Sequence, residues 1–177
     1  MSMSVAAEIA TEHGSAECMP RHIAIIMDGN SRWAKKHGKP VREGHRKGSD
    51  ALKALLENCR GLGLEYLTVY AFSSENWNRP QTEVSDLMEL LRYYLRHEVK
   101  TLHKNGVRIR FIGDRSMLSE DIQKELIRTE ELTQHNREMT LVIALSYGSR
   151  QELTRAMQAM VRSGLSPEAI TEETISR

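Results

Sequence analysis

The sequence predicts an α/β fold: a central, mostly parallel β-sheet surrounded by helices. Two observations predict it. Short apolar, β-branched runs alternate throughout with longer stretches whose apolar residues recur at helical spacing. The 177 residues are enough for one domain with a real core and too few for two comfortable ones. No internal repeat and no low-complexity tract interrupts the alternation.

Residues 1–20 carry neither a basic n-region nor a long apolar run, so the sequence predicts a mobile polar tail rather than a secretory signal. Residues 21–177 make the domain. The first strand falls at 23–27, apolar enough to be buried on both faces. A helix follows over 46–60, with Ala51, Leu52, Leu55 and Leu56 on one side and Gly61 and Gly63 at its end. Residues 65–72 (EYLTVYAF) form the second buried strand. Pro80 suits a first helical turn, and one helix then runs to about 105, stopped by Gly106. The third strand is 107–112. Ser119 is placed to cap a helix reaching about 134. The fourth strand is 141–145, followed by a helix over 149–162 and the start of another in SPEAITEETISR.

In parallel sheets of this kind ligands bind beyond the carboxyl ends of the strands, so the loops after Met27, Phe72, Ile112 and Leu145 carry the functional argument. The first reads DGNSRW. Gly29 permits a tight turn. Asp28 is a hard oxygen ligand of the kind Mg²⁺ uses while holding a substrate phosphate. Asn30 and Arg32 add donors, and a helix starting near Ser31 would aim N–H groups the same way. An aspartate that simply caps the helix explains this loop equally well. Just downstream, Arg42, Glu43, Gly44, His45, Arg46, Lys47 and Gly48 form a basic cluster expected to precede the next helix; by itself it reads better as a solvated turn. After the second strand, FSSENWNRP offers Ser73, Ser74, Glu75, Asn76 and Asn78 as polar groups, Trp77 as an apolar wall and Arg79 as a phosphate fork. A polar loop around one packed tryptophan is the plain alternative. Convergence of arginine-bearing loops at one sheet edge favours an anion site. The helix after Pro80 presents a broad apolar face, including Leu87, Leu90 and Leu91. Such a face is usually core, but beside an anion site it can also line a tunnel for a hydrocarbon.

Composition excludes several classes. With 25 basic and 24 acidic side chains, there is no cationic surplus to recruit nucleic acid. Cys18 and Cys59 match no metal-ligand spacing and read as free thiols in a reducing compartment. No run approaches the roughly 18 apolar residues of a membrane span, so a cytoplasmic protein is expected. A phosphatase of the haloacid-dehalogenase type wants a second carboxylate two residues after the first, where Asn30 stands.

The segments HIAIIMDGNSRWAKKHGKP, GHRKG, YLTVYAFSSENWNRP, EVSDLMELL, VRIRFIGD and TLVIALSYGSRQEL together resemble the cis-prenyltransferases, and within them the undecaprenyl diphosphate synthases of bacteria. The resemblance runs from about residue 22 to 175. It implies condensation of isopentenyl diphosphate onto farnesyl diphosphate with Z double bonds, Mg²⁺ as cofactor, a homodimer, and peripheral contact with the membrane through the lipid product, a carrier precursor for cell-wall synthesis. It implies roles too. Asp28 is the central catalytic residue and metal ligand. Gly29, Asn30, Arg32 and His45 cradle the allylic diphosphate, with Trp33 beside them. Ser73, Ser74, Glu75, Asn76, Trp77 and Arg79 belong to the loop that positions the second substrate, Asn76 acting in the condensation. Glu83 steadies that loop, and Ala71, Leu87, Leu90 and Leu91 line the tunnel.

Four departures from the family pattern stand out. Ser31 replaces a glycine, and either narrows the phosphate pocket or adds a donor. Val41 stands where an arginine is common. Ser146 and Ser149 turn the usual NYGGR into SYGSR. Finally, the family's block of the form RxSGExRxSNFxxWQ, which holds isopentenyl diphosphate, does not occur in these 177 residues; the expectation is a domain truncated at its C-terminus. A chain that binds an isoprenoid diphosphate without condensing it, alone or as a partner subunit, is therefore the competing expectation.

Overall fold

The computed structural model describes residues 20–175. Cys18 and nearly all of the expected tail lie outside the described residues. Four parallel strands form one sheet in the order β1-β2-β4-β3: β1 (His22–Ile26), β2 (Tyr66–Ser73), β3 (Val107–Ile112) and β4 (Met139–Tyr147). Helices α1 (Asn30–Lys36) and α2 (Val41–Gly61) connect β1 to β2. A 3₁₀ turn (Ser74–Asn78), α3 (Gln81–His97) and α4 (Val99–Lys104) lead to β3. Then α5 (Glu120–Thr133) returns the chain to β4, and α6 (Ser149–Arg162) and α7 (Glu172–Ile175) follow.

The core gathers where the central strands meet the helices. Leu67 and Val69 of β2, Ile109 of β3, Leu141 of β4 and Ile122 and Leu126 of α5 are all essentially inaccessible. β2 fits the expectation of a strand covered on both faces, with Leu67, Thr68 and Val69 buried in succession. β1 does not. It pairs only with β2 among the described residues, its residues alternate between exposed and half-buried, and Ile26 is 75% exposed. Its apolar run covers the core with one face only, through Ile23 and Ile25.

Several boundaries also differ from expectation; β4, for one, extends two residues beyond the expected 141–145 at each end. α2 begins at Val41, five residues early, with Pro40 as its cap residue. The basic cluster therefore lies inside the first two turns, not ahead of them. Two glycines there disguised the helix, because glycine is disfavoured in helix interiors; both turn out to have a packing role. The single helix expected from Pro80 breaks at Glu98 into α3 and α4, and Pro80 itself is the cap residue ahead of Gln81. Ser119 does occupy the cap position of α5, but its side chain makes no capping bond. Its Oγ instead accepts from Arg92 Nη2 at 3.0 Å.

Candidate active site

β1 ends one residue before Met27, and the chain turns sharply into α1 through Gly29 at φ +87°. That left-handed conformation suits glycine. The turn exposes Asp28, whose Oδ1 accepts from the Gly29 N–H at 2.5 Å and Oδ2 from Arg32 Nη2 at 2.8 Å. The Gly29 amide first, and then the Arg32 guanidinium, hold its carboxyl below the usual aspartate value. Asp28 thus stands ionised at the rim, its side chain 73% exposed.

The α1 start is pressed against α2 at two glycines. A Cβ at Gly44 would overlap the Asn30 carbonyl and meet Ala34 Cβ at 3.0 Å; one at Gly48 would meet the Asn30 amide at 2.5 Å. The GHRKG spacing thus sets two small residues one helical turn apart on the face that receives Asn30. Between them His45, buried on the neighbouring face, brings Nε2 to 3.3 Å from Glu83 Oε1. The same carboxylate oxygen accepts from Arg79 Nη1 at 2.8 Å and, more weakly, from Ser31 Oγ at 3.4 Å. Glu83 therefore joins α1, α2, α3 and the 3₁₀ turn. The Ser31 hydroxyl, expected to narrow a phosphate pocket or donate into it, faces this carboxylate instead.

The turn after β2 is held by reciprocal bonds between Ser73 and Asn76, with the Ser73 N–H donating to Asn76 Oδ1 at 2.9 Å. Trp77 packs edge-on against Phe72, centroids 4.9 Å apart, and its Nε1–H donates to Ser146 Oγ at 2.9 Å.

Behind this rim lies a cavity of about 440 Å³, within the range of small-molecule sites. Asp28, Gly29, Asn30, Arg32, His45, Ser73, Asn76 and Arg79 line its mouth, and Ala71, Leu87, Leu90 and Leu91 its apolar body. The remaining candidates lie off it. Trp33 stacks on His37 at 4.4 Å, Trp77 supports the turn from beneath, Ser74 packs beside Gly148, and Glu75 is exposed. Of the basic cluster only His45 reaches the cavity; Arg42, Arg46 and Lys47 are exposed on α2. Sequence reasoning missed Leu52 and Leu56 of α2 as cavity walls, whereas Tyr94 of α3 lies on the apolar face expected to line a tunnel and does reach the cavity. The two leucines had been visible as a helix face, but nothing in their spacing separates core from cavity lining.

Comparison with known proteins gives the family. Residues 26–177 match the family described as "Putative undecaprenyl diphosphate synthase". The chain belongs to this family. It is 53% identical over 162 residues to an isoprenyl transferase of Rhizobium meliloti (strain 1021), covering 89% of this chain and 66% of the relative. It is 46% identical over 165 residues to the (2E,6E)-farnesyl-diphosphate-specific ditrans,polycis-undecaprenyl-diphosphate synthase of Vibrio vulnificus (strain YJ016), covering 91% and 66%. Among solved structures, lavandulyl diphosphate synthase from Lavandula x intermedia, in complex with dimethylallyl diphosphate, superposes with a TM-score of 0.85 at 37% identity, covering 90% of this chain and 70% of that one. The chain spans just under two thirds of the length of the two curated relatives. Among the described residues, no helix is long and apolar enough to cross a membrane.

Proposed function

We propose that this chain acts in cis-prenyl elongation: it binds an allylic diphosphate, farnesyl diphosphate in the first instance, and extends it with isopentenyl diphosphate to a Z-polyprenyl diphosphate. The observation that carries this reading is the union of two unlike environments in one cavity. Its mouth holds Asp28, Arg32 and Arg79, and its body is walled by leucines. A diphosphate with a hydrocarbon tail is the ligand class that needs both. The names of the relatives and the dimethylallyl diphosphate bound by the lavandulyl synthase support the same class.

In the reaction the allylic C1–O bond breaks, the isopentenyl double bond supplies the electrons for a new C–C bond, and a proton is lost. Arg32 and Arg79 would face the negative charge that develops on the leaving diphosphate, and fixed charges act more strongly once the bound ligand displaces water from the mouth. Glu83 and His45 hold Arg79 in place. The Asn76 side chain, anchored through its Oδ1, keeps its amide N–H groups free to orient the second diphosphate. The leucine walls keep water from a centre that gains carbocation character.

The residues fit a magnesium ion. Among the described residues, no three His, Cys, Asp or Glu converge into a protein cage, but Mg²⁺ commonly binds through one carboxylate plus substrate phosphates and water. Asp28 is ionised, exposed and at the mouth. When bound there, the ion would neutralise charge on the leaving diphosphate. In the same proposal the protein works as a homodimer and touches the bilayer only through its product.

The test is elongation of farnesyl diphosphate by labelled isopentenyl diphosphate with Mg²⁺. Labelled Z-polyprenyl diphosphate is expected, with turnover lost in Asp28→Ala. Turnover unchanged in Asp28→Ala would remove the site assignment. Farnesyl diphosphate binding without extension would favour the chain that only binds.

A further inference from the structure

β4 carries an irregularity at its carboxyl end. In its pairing with β2, Tyr70 faces Ala144, Phe72 faces Leu145 and Ser73 faces Tyr147. Ala71 on one strand and Ser146 on the other are passed over, so two bulges offset each other in adjacent strands. Bulges beside active sites re-aim side chains. Ala71 faces the cavity. Ser146 is 1% exposed and, at φ +50°, is the one non-glycine residue with a positive φ among the described residues. Strain of this kind persists where surrounding structure holds it; here the Ser146 carbonyl accepts from the Asp114 N–H at 3.1 Å. The twisted backbone turns the Ser146 hydroxyl onto the Trp77 indole N–H at 2.9 Å.

We propose that Ser146 is a positioning residue: through its bond to Trp77 it sets the 3₁₀ turn that presents Asn76 and Arg79 to the second substrate. The consequence for catalysis rests on the elongation reading above. Trp77 lies between Asn76 and the Asn78–Arg79 pair and reaches the cavity with none of its own atoms. Its indole is gripped by Phe72 on the ring and Ser146 at the nitrogen. Losing the nitrogen contact leaves a polar N–H without its partner and the ring held by its packing on Phe72 alone. Displacing catalytic groups by about 1 Å can cost two orders of magnitude in rate. Asparagine, usual in the family at this position, adopts left-handed backbone readily and offers a carbonyl acceptor, so it supplies the same two properties.

The experiment compares wild type, Ser146→Ala and Ser146→Asn, each also in a Trp33→Phe background where Trp77 is the sole tryptophan of the two. All are measured at a temperature where far-UV circular dichroism matches wild type. Ser146→Ala is expected to shift Trp77 emission and near-UV dichroism. Its kcat should fall about tenfold, as expected when catalytic groups shift by a fraction of an ångström, while the Kd for farnesyl diphosphate stays within twofold. Ser146→Asn should restore both the spectrum and kcat. An unchanged kcat and spectrum in Ser146→Ala would overturn the proposal, as would Ser146→Asn failing to rescue. If wild type binds farnesyl diphosphate but extends nothing, the elongation reading has failed instead. The spectra then decide: a shift in Ser146→Ala reversed in Ser146→Asn sustains the positioning of the turn, and its absence refutes it.

Discussion

Glycine-to-alanine substitution at two places on α2 should have opposite effects. In a helix interior alanine is favoured over glycine by about 0.8–1.0 kcal/mol. At Gly61, the last residue of α2, an added Cβ meets nothing within 4 Å, so Gly61→Ala should be neutral or stabilising by a fraction of that amount. At Gly44 the Cβ would overlap the Asn30 carbonyl and press Ala34 Cβ at 3.0 Å. Overpacking typically costs about 1–3 kcal/mol, and backbone opposite a methyl group yields less than a flexible side-chain tip. The net expectation for Gly44→Ala is a loss of about 1–2 kcal/mol. At roughly 2–4 °C per kcal/mol for a chain of this size, Tm should fall by several degrees. The strain must be relieved by moving α1, which carries Asn30 and Arg32. Farnesyl diphosphate affinity should therefore fall at least about tenfold, whereas Gly61→Ala should leave it unchanged. Urea titration with a constant m-value, paired with calorimetric binding, measures both quantities. A Gly44→Ala protein more stable than wild type with unaltered affinity would refute the close approach of α1 to α2.

Other outcomes follow from the same contacts. Glu83→Gln keeps the shape of the junction of Ser31, His45 and Arg79 but removes its charge; elongation should slow by about tenfold while Tm shifts little, because a partly exposed ion pair contributes about 1 kcal/mol or less. The Asp114 carboxyl is held below its ordinary value chiefly by the Ser116 hydroxyl, and also by the Ser116 N–H and Arg155. A carboxyl with a depressed folded pKa stabilises above its unfolded pKa of about 3.9 and loses that contribution as pH falls through its folded value. Asp114→Asn should accordingly flatten the acid limb of stability below about pH 4, read by denaturant unfolding between pH 2 and 6. Burial pushes the Cys59 thiol up, so Cys59 should react with a thiol reagent at neutral pH only when urea unfolds the chain; fast labelling under native conditions, located by peptide mapping, would contradict its place in the core.

Much of the fold was legible because local and tertiary signals agree. The run at 65–72 is apolar and β-branched and is a strand with a neighbour on each side, while 107–112, set between Gly106 and Gly113, alternates Val107, Ile109 and Phe111 toward the core with Arg108 and Arg110 between them. The loop DGNSRW was legible for a related reason: acid, amide and arginine following an apolar run have little use in a core. What stayed hidden depended on context that spacing does not encode. Gly44 and Gly48 look like helix breakers until α1 is known to lie against them. Ile23 and Ile25 look fully buried until β1 is seen at the sheet edge. Leu52 and Leu56 of α2 look like core until the cavity appears on their side. Ser146 was visible only as a departure from the family pattern; its use comes from a bulge and a positive φ, neither of which leaves a trace in residue type. The family resemblance marked Glu83 as a loop-steadying acid, and the structure adds that one oxygen of it serves three partners.

The central claim is that the charged mouth and the apolar cavity form a single site for one ligand. The most direct test is the affinity of the protein, with Mg²⁺ present, for inorganic diphosphate and for dimethylallyl, geranyl and farnesyl diphosphates. Each buried methylene contributes up to about 0.8 kcal/mol, so affinity should rise at least about tenfold from inorganic diphosphate to the dimethylallyl compound and again with each added isoprene unit. Equal affinity for inorganic and farnesyl diphosphate would show that the cavity behind Asp28, Arg32 and Arg79 does not receive the tail, and would contradict the account.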